Sequence, residues 1–255
     1  MAVELPLTHR ELNEQVKLVL GYPKPTNRVV ASRLKLLRRM GVVKLIPHGR
    51  VKIGGFNVLG KGYVGIVVLV ETIDRGKAVL KLRRVDASRG SLEVEGGLLR
   101  RVNKLGIGPR LLAVSKNALL MEYIEGEDLE DWLAREDLKP EEVKRVLRET
   151  LEQCYRLDVF GIDHGELSIA KRHVRISKEG KPVILDFESA SLRRRPANVT
   201  SLTQYLFVRK SWRKNKLERL LGSWSVRELI EALKAYKREP SRQNFEKLLK
   251  ILNLA

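Results

Sequence analysis

Two periods of apolar residues divide the chain. After Thr26–Asn27, Val30, Leu34, Leu37 and Met40 recur at helical spacing, and Gly41 ends the run. Thr8 and Glu11 form a capping-box pair and predict an earlier helix that Gly21 and Pro23 close. Val42–Ile46, a turn at 47–50 and Val51–Ile53 read as a short hairpin. From residue 55 the pattern is mainly strand: Phe56–Leu59, Ile66–Glu71 and Ala78–Arg83, with turns at 60–65 and 74–77. A helix is predicted over about 92–104, then a hairpin of 111–115 with 118–122. Beyond Gly126 helical spacing returns, most plainly from Pro140 to Asp158. A glycine-punctuated loop, 160–171, leads to short strands at 173–176 and 183–186. The last sixty residues read as helices, one of them opened by the pair Ser225 and Glu228. Strands followed by helices predict an α+β protein.

Composition narrows the setting. A chain of 255 residues with 43% hydrophobic content is long enough for one compact domain or two small ones and too apolar to be disordered throughout. A single cysteine, Cys154, excludes a disulfide framework and a multi-cysteine zinc site. The longest aliphatic run, Ile66–Val70, is far short of the roughly 20 residues of a membrane span. A soluble, cytoplasmic protein with no membrane partner is expected. Lys and Arg number 50 against 31 Asp and Glu, for a net charge of +19. Residues 1–52 carry 11 basic and 3 acidic side chains, residues 53–192 carry 23 of each, and residues 193–255 carry 16 and 5. The middle is balanced and both flanks are basic. An acidic partner docked by the ends is expected, RNA or a ribonucleoprotein, with Arg193–Arg195 and the basic helix at 27–39 as contacts. Helix, basic helix, hairpin matches the end of a winged helix-turn-helix, although only two of its three helices are legible. A helical brace on the next domain fits the same pattern.

The chemistry gathers in the neutral middle. Leu59-Gly60-Lys61-Gly62-Tyr63-Val64-Gly65-Ile66-Val67 contains G-x-G-x-x-G-x-V. In a dinucleotide-binding fold the glycines would open a helix; here they open a β-branched apolar run. A glycine-rich turn between antiparallel strands is the phosphate-covering flap of a protein kinase. One hairpin later Ala78-Val79-Leu80-Lys81 places a lysine like that of V-A-I-K. Its expected partner is Glu95 in the next helix, with Glu93 the alternative. Ala118 to Gly126 resembles a kinase hinge, in which the backbone of Glu122 and Ile124 would meet the adenine edge and Asp128 the ribose. Most of the carboxylates over 125–131 read as a solvated helix start. His164-Gly165-Glu166-Leu167-Ser168 and Leu185-Asp186-Phe187-Glu188 resemble the catalytic loop and the D-F-G triplet.

On these five motifs, over about residues 55–192, the chain resembles small protein-kinase-like phosphotransferases of the RIO type. That group is related to the kinase subunit of the KEOPS complex, and the chain is most similar to its predicted archaeal serine/threonine kinases. The resemblance implies a bilobal kinase-like fold: a helical or winged-helix-like extension (1–53), a β-rich N-lobe (54–124) and a helical C-lobe with a basic tail (125–255). It implies ATP and Mg2+ as cofactors and a serine of a protein, or of the chain itself, as acceptor. Gly60, Gly62 and Gly65 would cover the phosphates and Lys81, held by Glu95, would grip the α and β groups. Asp186 would bind Mg2+ and Glu166 would orient the acceptor hydroxyl. Leu59, Val67, Val79, Met121 and Leu185 would line the adenine pocket.

Three departures accompany the resemblance. Glu166 stands where the family has Asp, one methylene longer, and a misplacement of that order costs ~100-fold. Lys171 stands where a metal-binding Asn is expected; an ammonium is no ligand but would reach the γ-phosphate, and a longer loop would put His173 near that position instead. Glu188 replaces the glycine of D-F-G. A nucleotide-binding regulator without transfer and a small-molecule kinase are the competing readings.

Overall fold

The computed structural model describes residues 2–6 and 8–255. The chain is mixed α+β, sheet-rich in its N-terminal part and helical in its C-terminal part, and divides into two compact units, Met1–Arg101 with Pro109–Tyr123, and Val102–Gly108 with Ile124–Ala255.

The first unit contains β1 (Val3–Glu4), α1 (Glu14–Gly21), α2 (Asn27–Arg39), β2 (Val42–Ile46), β3 (Val51–Ile53), β4 (Phe56–Val58), β5 (Gly60–Lys61), β6 (Gly65–Thr72), β7 (Gly76–Arg83), α3 (Glu93–Asn103, whose last turn passes into the second unit), β8 (Leu111–Val114) and β9 (Ala118–Glu122). Its antiparallel sheet runs β1-β2-β6-β7-β9-β8, with β5 also paired to β6. The hairpin expected between Val42–Ile46 and Val51–Ile53 does not form. β2 instead pairs with β6, Leu45 opposite Val70, while β3 turns back at Gly54–Gly55 onto β4. β1 and β2 are therefore built into the same sheet as β6–β9, while β3 pairs apart from it with β4.

Thr26 caps α2 by accepting from the Val29 N–H. Thr8 does bond to Glu11, but α1 starts later, capped by Asn13 through the Val16 N–H at 2.9 Å. Alternation along the strands separates two faces. Ile66, Val68, Val70, Ala78, Leu80, Leu82, Ala118 and Leu120 are buried against Val16, Val19 and Leu20 of α1 and Val30, Leu34 and Leu37 of α2. Each such leucine contributes about 1.5–3 kcal/mol by leaving water. Arg33 crosses this layer, 4% exposed, donating to the carbonyls of Leu20 and Arg83. Burial, and then the charge of Arg83, lower its pKa to about 10.

The second unit adds β10 (Gly126–Asp128), α4 (Leu129–Ala134), α5 (Pro140–Val159), β11 (Val174–Ser177), β12 (Pro182–Ile184), α6 (Asn198–Thr203), α7 (Trp212–Leu221), α8 (Val226–Arg238) and α9 (Arg242–Ile251). β10, β11 and β12 form a small antiparallel sheet. α5 buries Val143, Val146, Leu147, Leu151, Cys154 and Leu157, the stripe its helical spacing predicts. Phe245 of α9 stacks on Tyr155 of α5 with centroids 4.7 Å apart. Ser225 caps α8 through the Glu228 N–H. No helix among the described residues is long and apolar enough to cross a membrane.

Candidate functional site

Each unit holds a cluster of the expected site residues. In the first, Leu59 accompanies β5 into the glycine turn, its N–H bonded to the Val67 carbonyl, and the Gly62 N–H meets the Gly65 carbonyl at 2.8 Å. The three glycines differ in what the fold asks of them. A Cβ on Gly65 would stand 2.9 Å from the Leu82 carbonyl oxygen and 3.1 Å from Lys81 Cγ, so only glycine leaves room for the lysine stem. At Gly60 and Gly62 the nearest atoms to such a Cβ are 3.9 and 3.7 Å away, and neither has a positive φ. Packing within the chain does not require glycine at those two positions.

Behind the turn the register Val67↔Lys81↔Leu119 and Leu69↔Val79↔Met121 puts these six residues on the sheet face opposite the helical core. Val67, Val79 and Met121 are half-buried, an incompletely covered apolar patch beside Lys81. Lys81 is 4% exposed, its Nζ 2.8 and 2.9 Å from the two carboxylate oxygens of Glu95, itself 4% exposed. A charge that deep is stable only when paired. Glu93 instead accepts from the Ser91 hydroxyl. Gly96 makes the pairing reachable: a Cβ there would sit 2.6 Å from Val114 Cγ2, so glycine lets α3 close onto β8 and carry its neighbour Glu95 inward. The Glu122 N–H donates to the Arg110 carbonyl at 2.9 Å, and its side chain accepts from the Arg110 N–H.

In the second unit, His164 is fully buried. Nε2 lies 2.9 Å from the Leu185 carbonyl, the ring packs edge-on to Phe187 and His173, and Nδ1 faces the Glu166 N–H. Burial pushes its pKa below the ordinary histidine value, the Leu185 bond opposing it. A neutral ring donating through Nε2 therefore ties the loop before Glu166 to the strand end before Asp186. Glu166 accepts from the Ser189 hydroxyl on Oε1, and Oε2 is 3.1 Å from His173 Nε2. Asp186 is exposed with φ +63, a left-handed conformation that Asp adopts more readily than most residues. Ligand atoms of Glu166, His173 and Asp186 all lie within 4.8 Å of one another. Two carboxylates and an imidazole are a donor set that fits a divalent cation.

Lys171 takes a different place from the one its spacing suggested. The 3-10 segment Leu167–Arg172 is broken at Ile169 (φ −135, ψ 62), and Lys171 Nζ pairs with Glu130 Oε2 at 3.1 Å. His173, seven residues after Glu166, is the side chain brought to Glu166 and Asp186. Glu130 also departs from the solvated helix start expected of it. It is 9% exposed and accepts from Tyr205 and Arg213 at 2.5 Å each. Burial pushes its carboxyl up, but Tyr205, Lys171 and Arg213 outweigh that and hold it below the usual range. Asp128 is ion-paired across the β10–β11 ladder with Arg175, Oδ1 to Nη2 2.9 Å. Ile124 and Leu185 are half-buried.

The basic flanks are spent unevenly. Arg194 Nε bonds Asp163 Oδ2 at 2.7 Å, and Arg195 donates to the carbonyls of Lys237 and Arg238, so two of the three consecutive arginines brace the fold. In the first unit Arg33 and Arg38 donate to backbone carbonyls. Lys35 and Arg39 instead join Lys116, Ser32, Leu36, Ser115 and Asn117 around an open groove of about 280 Å³. The roles of Ser189, Glu130 and Lys116 were not singled out from the sequence, although each stands in or beside a stretch discussed there, because their partners are distant in the chain.

No protein-family model matches the chain. A curated protein of Methanocaldococcus jannaschii, described as uncharacterized protein MJ1211, is 30% identical over 119 residues, which are 46% of this chain and 99% of that protein. With nearly the whole relative covered at that identity, the chain belongs to the same family as the Methanocaldococcus jannaschii protein.

Proposed function

We propose that the protein is an ATP-dependent phosphotransferase of the protein-kinase-like superfamily, RIO type, acting on a serine of a protein or of itself. The kinase-like bilobal architecture is part of this reading, the two units serving as its lobes. The observation that carries it is the buried Lys81–Glu95 pair beside a half-covered apolar patch and a glycine turn. Two of that turn's glycines answer no packing need in the chain. Side-chain-free backbone at Gly60 and Gly62 would let N–H groups approach phosphate oxygens. Val67, Val79 and Met121 would take the adenine face, and Lys81, fixed in direction by Glu95, would grip phosphate. Bound Mg2+ would supply charge neutralisation at the transferring group, with Asp186 as its ligand. Glu166, steadied by Ser189 and His173, would accept the proton of the attacking hydroxyl. Phosphoryl transfer is mainly positioning and electrostatics, so a longer carboxylate that is held in place remains usable.

Incubation with γ-labelled ATP and Mg2+ tests the reading. Label should enter the protein or a generic substrate and be lost in Asp186→Asn, a change that keeps a side chain suited to the left-handed backbone at that position. Tight ATP binding with neither transfer nor hydrolysis would overturn it. That result would favour the nucleotide-binding regulator, which has one observation of its own: both oxygens of Glu166 are already engaged. RNA as the acidic partner draws support from the groove of Lys35, Arg39 and Lys116.

A further inference from the structure

We propose that Glu166, His173 and Asp186 form a mixed carboxylate–imidazole site that takes a first-row transition ion such as Mn2+ in preference to Mg2+. The use of that ion in catalysis rests on the phosphotransferase reading; the ligand set rests on its own geometry.

The three side chains offer donor atoms within 4.8 Å of one another, the only such group of three among the described residues. His173 Nε2 and Glu166 Oε2 are 3.1 Å apart. Neighbouring ligands of an octahedral ion at about 2.1–2.2 Å are themselves separated by about 3.0–3.1 Å, so these two atoms already have the spacing of a coordinated pair. Asp186 is exposed, so the third donor has room to turn toward an ion. The His173 ring is held by its edge-on contact with His164, centroids 5.5 Å apart, while its Nδ1 is buried and makes no hydrogen bond. No bond at Nδ1 therefore fixes the tautomer. With the ring proton on Nδ1, Nε2 would present its lone pair, and a cation would replace the proton that otherwise links Nε2 to Oε2.

Ligand chemistry then sets the choice of ion. Mg2+ demands oxygen donors and keeps its waters, whereas imidazole nitrogen strengthens binding of first-row transition ions. An oxygen-only site, with an amide or carboxylate in place of His173, would favour Mg2+; replacing one oxygen donor by imidazole shifts the ratio toward Mn2+. Glu166 would bind the ion through Oε2 alone and keep Oε1 for a hydroxyl, the position the Ser189 hydroxyl now fills. The longer glutamate is the side chain that serves both tasks, whereas the one-atom-shorter aspartate would reach less far toward His173.

The test uses the full chain and Mn2+ alone, without nucleotide. Loss of the free-ion electron paramagnetic resonance signal gives the affinity, competition with Mg2+ gives the ratio, and pulsed spectra report nitrogen coordination. The expected result is one Mn2+ per chain, bound at least about tenfold tighter than Mg2+, with a directly coordinated nitrogen. His173→Asn should abolish the nitrogen signal and collapse the ratio; His173→Gln serves if that variant does not fold, and the wild-type spectrum decides coordination by itself. Absence of Mn2+ binding, binding without a nitrogen signal, or an unchanged ratio in the variant would each overturn the proposal and leave a histidine–carboxylate ion pair. Transfer from ATP in the absence of nitrogen coordination sinks this inference and spares the phosphotransferase reading. Nitrogen coordination in a protein that does not bind ATP does the reverse.

Discussion

Asp158 is the point at which a single substitution should loosen the helical unit and the loop before Glu166 together. It ends α5 at 6% exposure and accepts four hydrogen bonds: Asn198 N at 2.9 Å and Nδ2 at 2.7 Å on Oδ1, Val199 N at 3.1 Å and the Tyr236 hydroxyl at 2.9 Å on Oδ2. The residue at the N-cap of α6, Ala197, has no side-chain acceptor, so a carboxylate from another helix supplies the cap. Asp158→Asn keeps the shape and one acceptor oxygen, and turns an NH2 group toward two donors. The Tyr236 hydroxyl can rotate to accept from it; the Val199 N–H cannot. One orphaned buried donor costs about 1–3 kcal/mol, and because burial raises the Asp158 pKa despite its hydrogen bonds, loss of the charge adds nothing to that. The expected loss is therefore about 1–3 kcal/mol. All three tryptophans, Trp132, Trp212 and Trp224, lie in the second unit, so urea unfolding followed by tryptophan fluorescence reads that unit alone. Asn198 Oδ1 accepts the His164 N–H at 2.8 Å, so amide hydrogen exchange at His164 should quicken in the same variant. A loss below about 1 kcal/mol, with exchange unchanged, would refute the assignment of Asp158 as the cap of α6.

Four further outcomes are expected. Glu95→Gln takes its carboxylate from the buried Lys81 and should lower stability by more than Lys81→Met combined with Glu95→Gln does, as calorimetry of the three proteins would show. Cys154 is fully buried and its thiol is pushed well above its ordinary value by burial and then by Asp158, so a chromogenic disulfide reagent at pH 8 should find no thiol in the native protein and one per chain in denaturant. Prompt native-state reaction would contradict that burial. RNA binding, measured across a salt series, should weaken in Lys35→Glu, Arg39→Glu and Lys116→Glu, the slope of log K against log salt falling by about 0.7–0.9 per contact removed. Arg194→Ala should lower stability rather than binding.

Local patterns were legible wherever the decision itself was local. Thr26 and Ser225 were readable as caps because a cap bonds a backbone N–H three residues away. The glycine turn was readable as opening a strand because β-branched residues follow it directly. Glu95, ahead of Glu93, was the partner expected for Lys81 and is the one that pairs with it, whereas the close approach of α3 to β8 that Gly96 permits was not legible. Thr8 and Glu11 show the limit of even local patterns: the pair bonds as its spacing suggests, yet α1 begins at Asn13's cap.

By itself the sequence determined the α+β layout, most element positions and the residue types available for chemistry, because periodicity and turn chemistry act over a few residues. Only the tertiary structure decided which strands pair, which charges are spent and which side chains meet. β2 joins β6 rather than β3 because its apolar positions are buried only in the larger sheet. Arg33, Arg38, Arg194 and Arg195 look like a nucleic-acid surface in the sequence and are in fact bound to carbonyls and a carboxylate that distant segments bring to them. His173 replaces Lys171 beside Glu166 and Asp186 because one non-helical residue, Ile169, breaks the intervening turn. Burial and pairing depend on contacts between residues far apart in the chain, which no short-range spacing specifies.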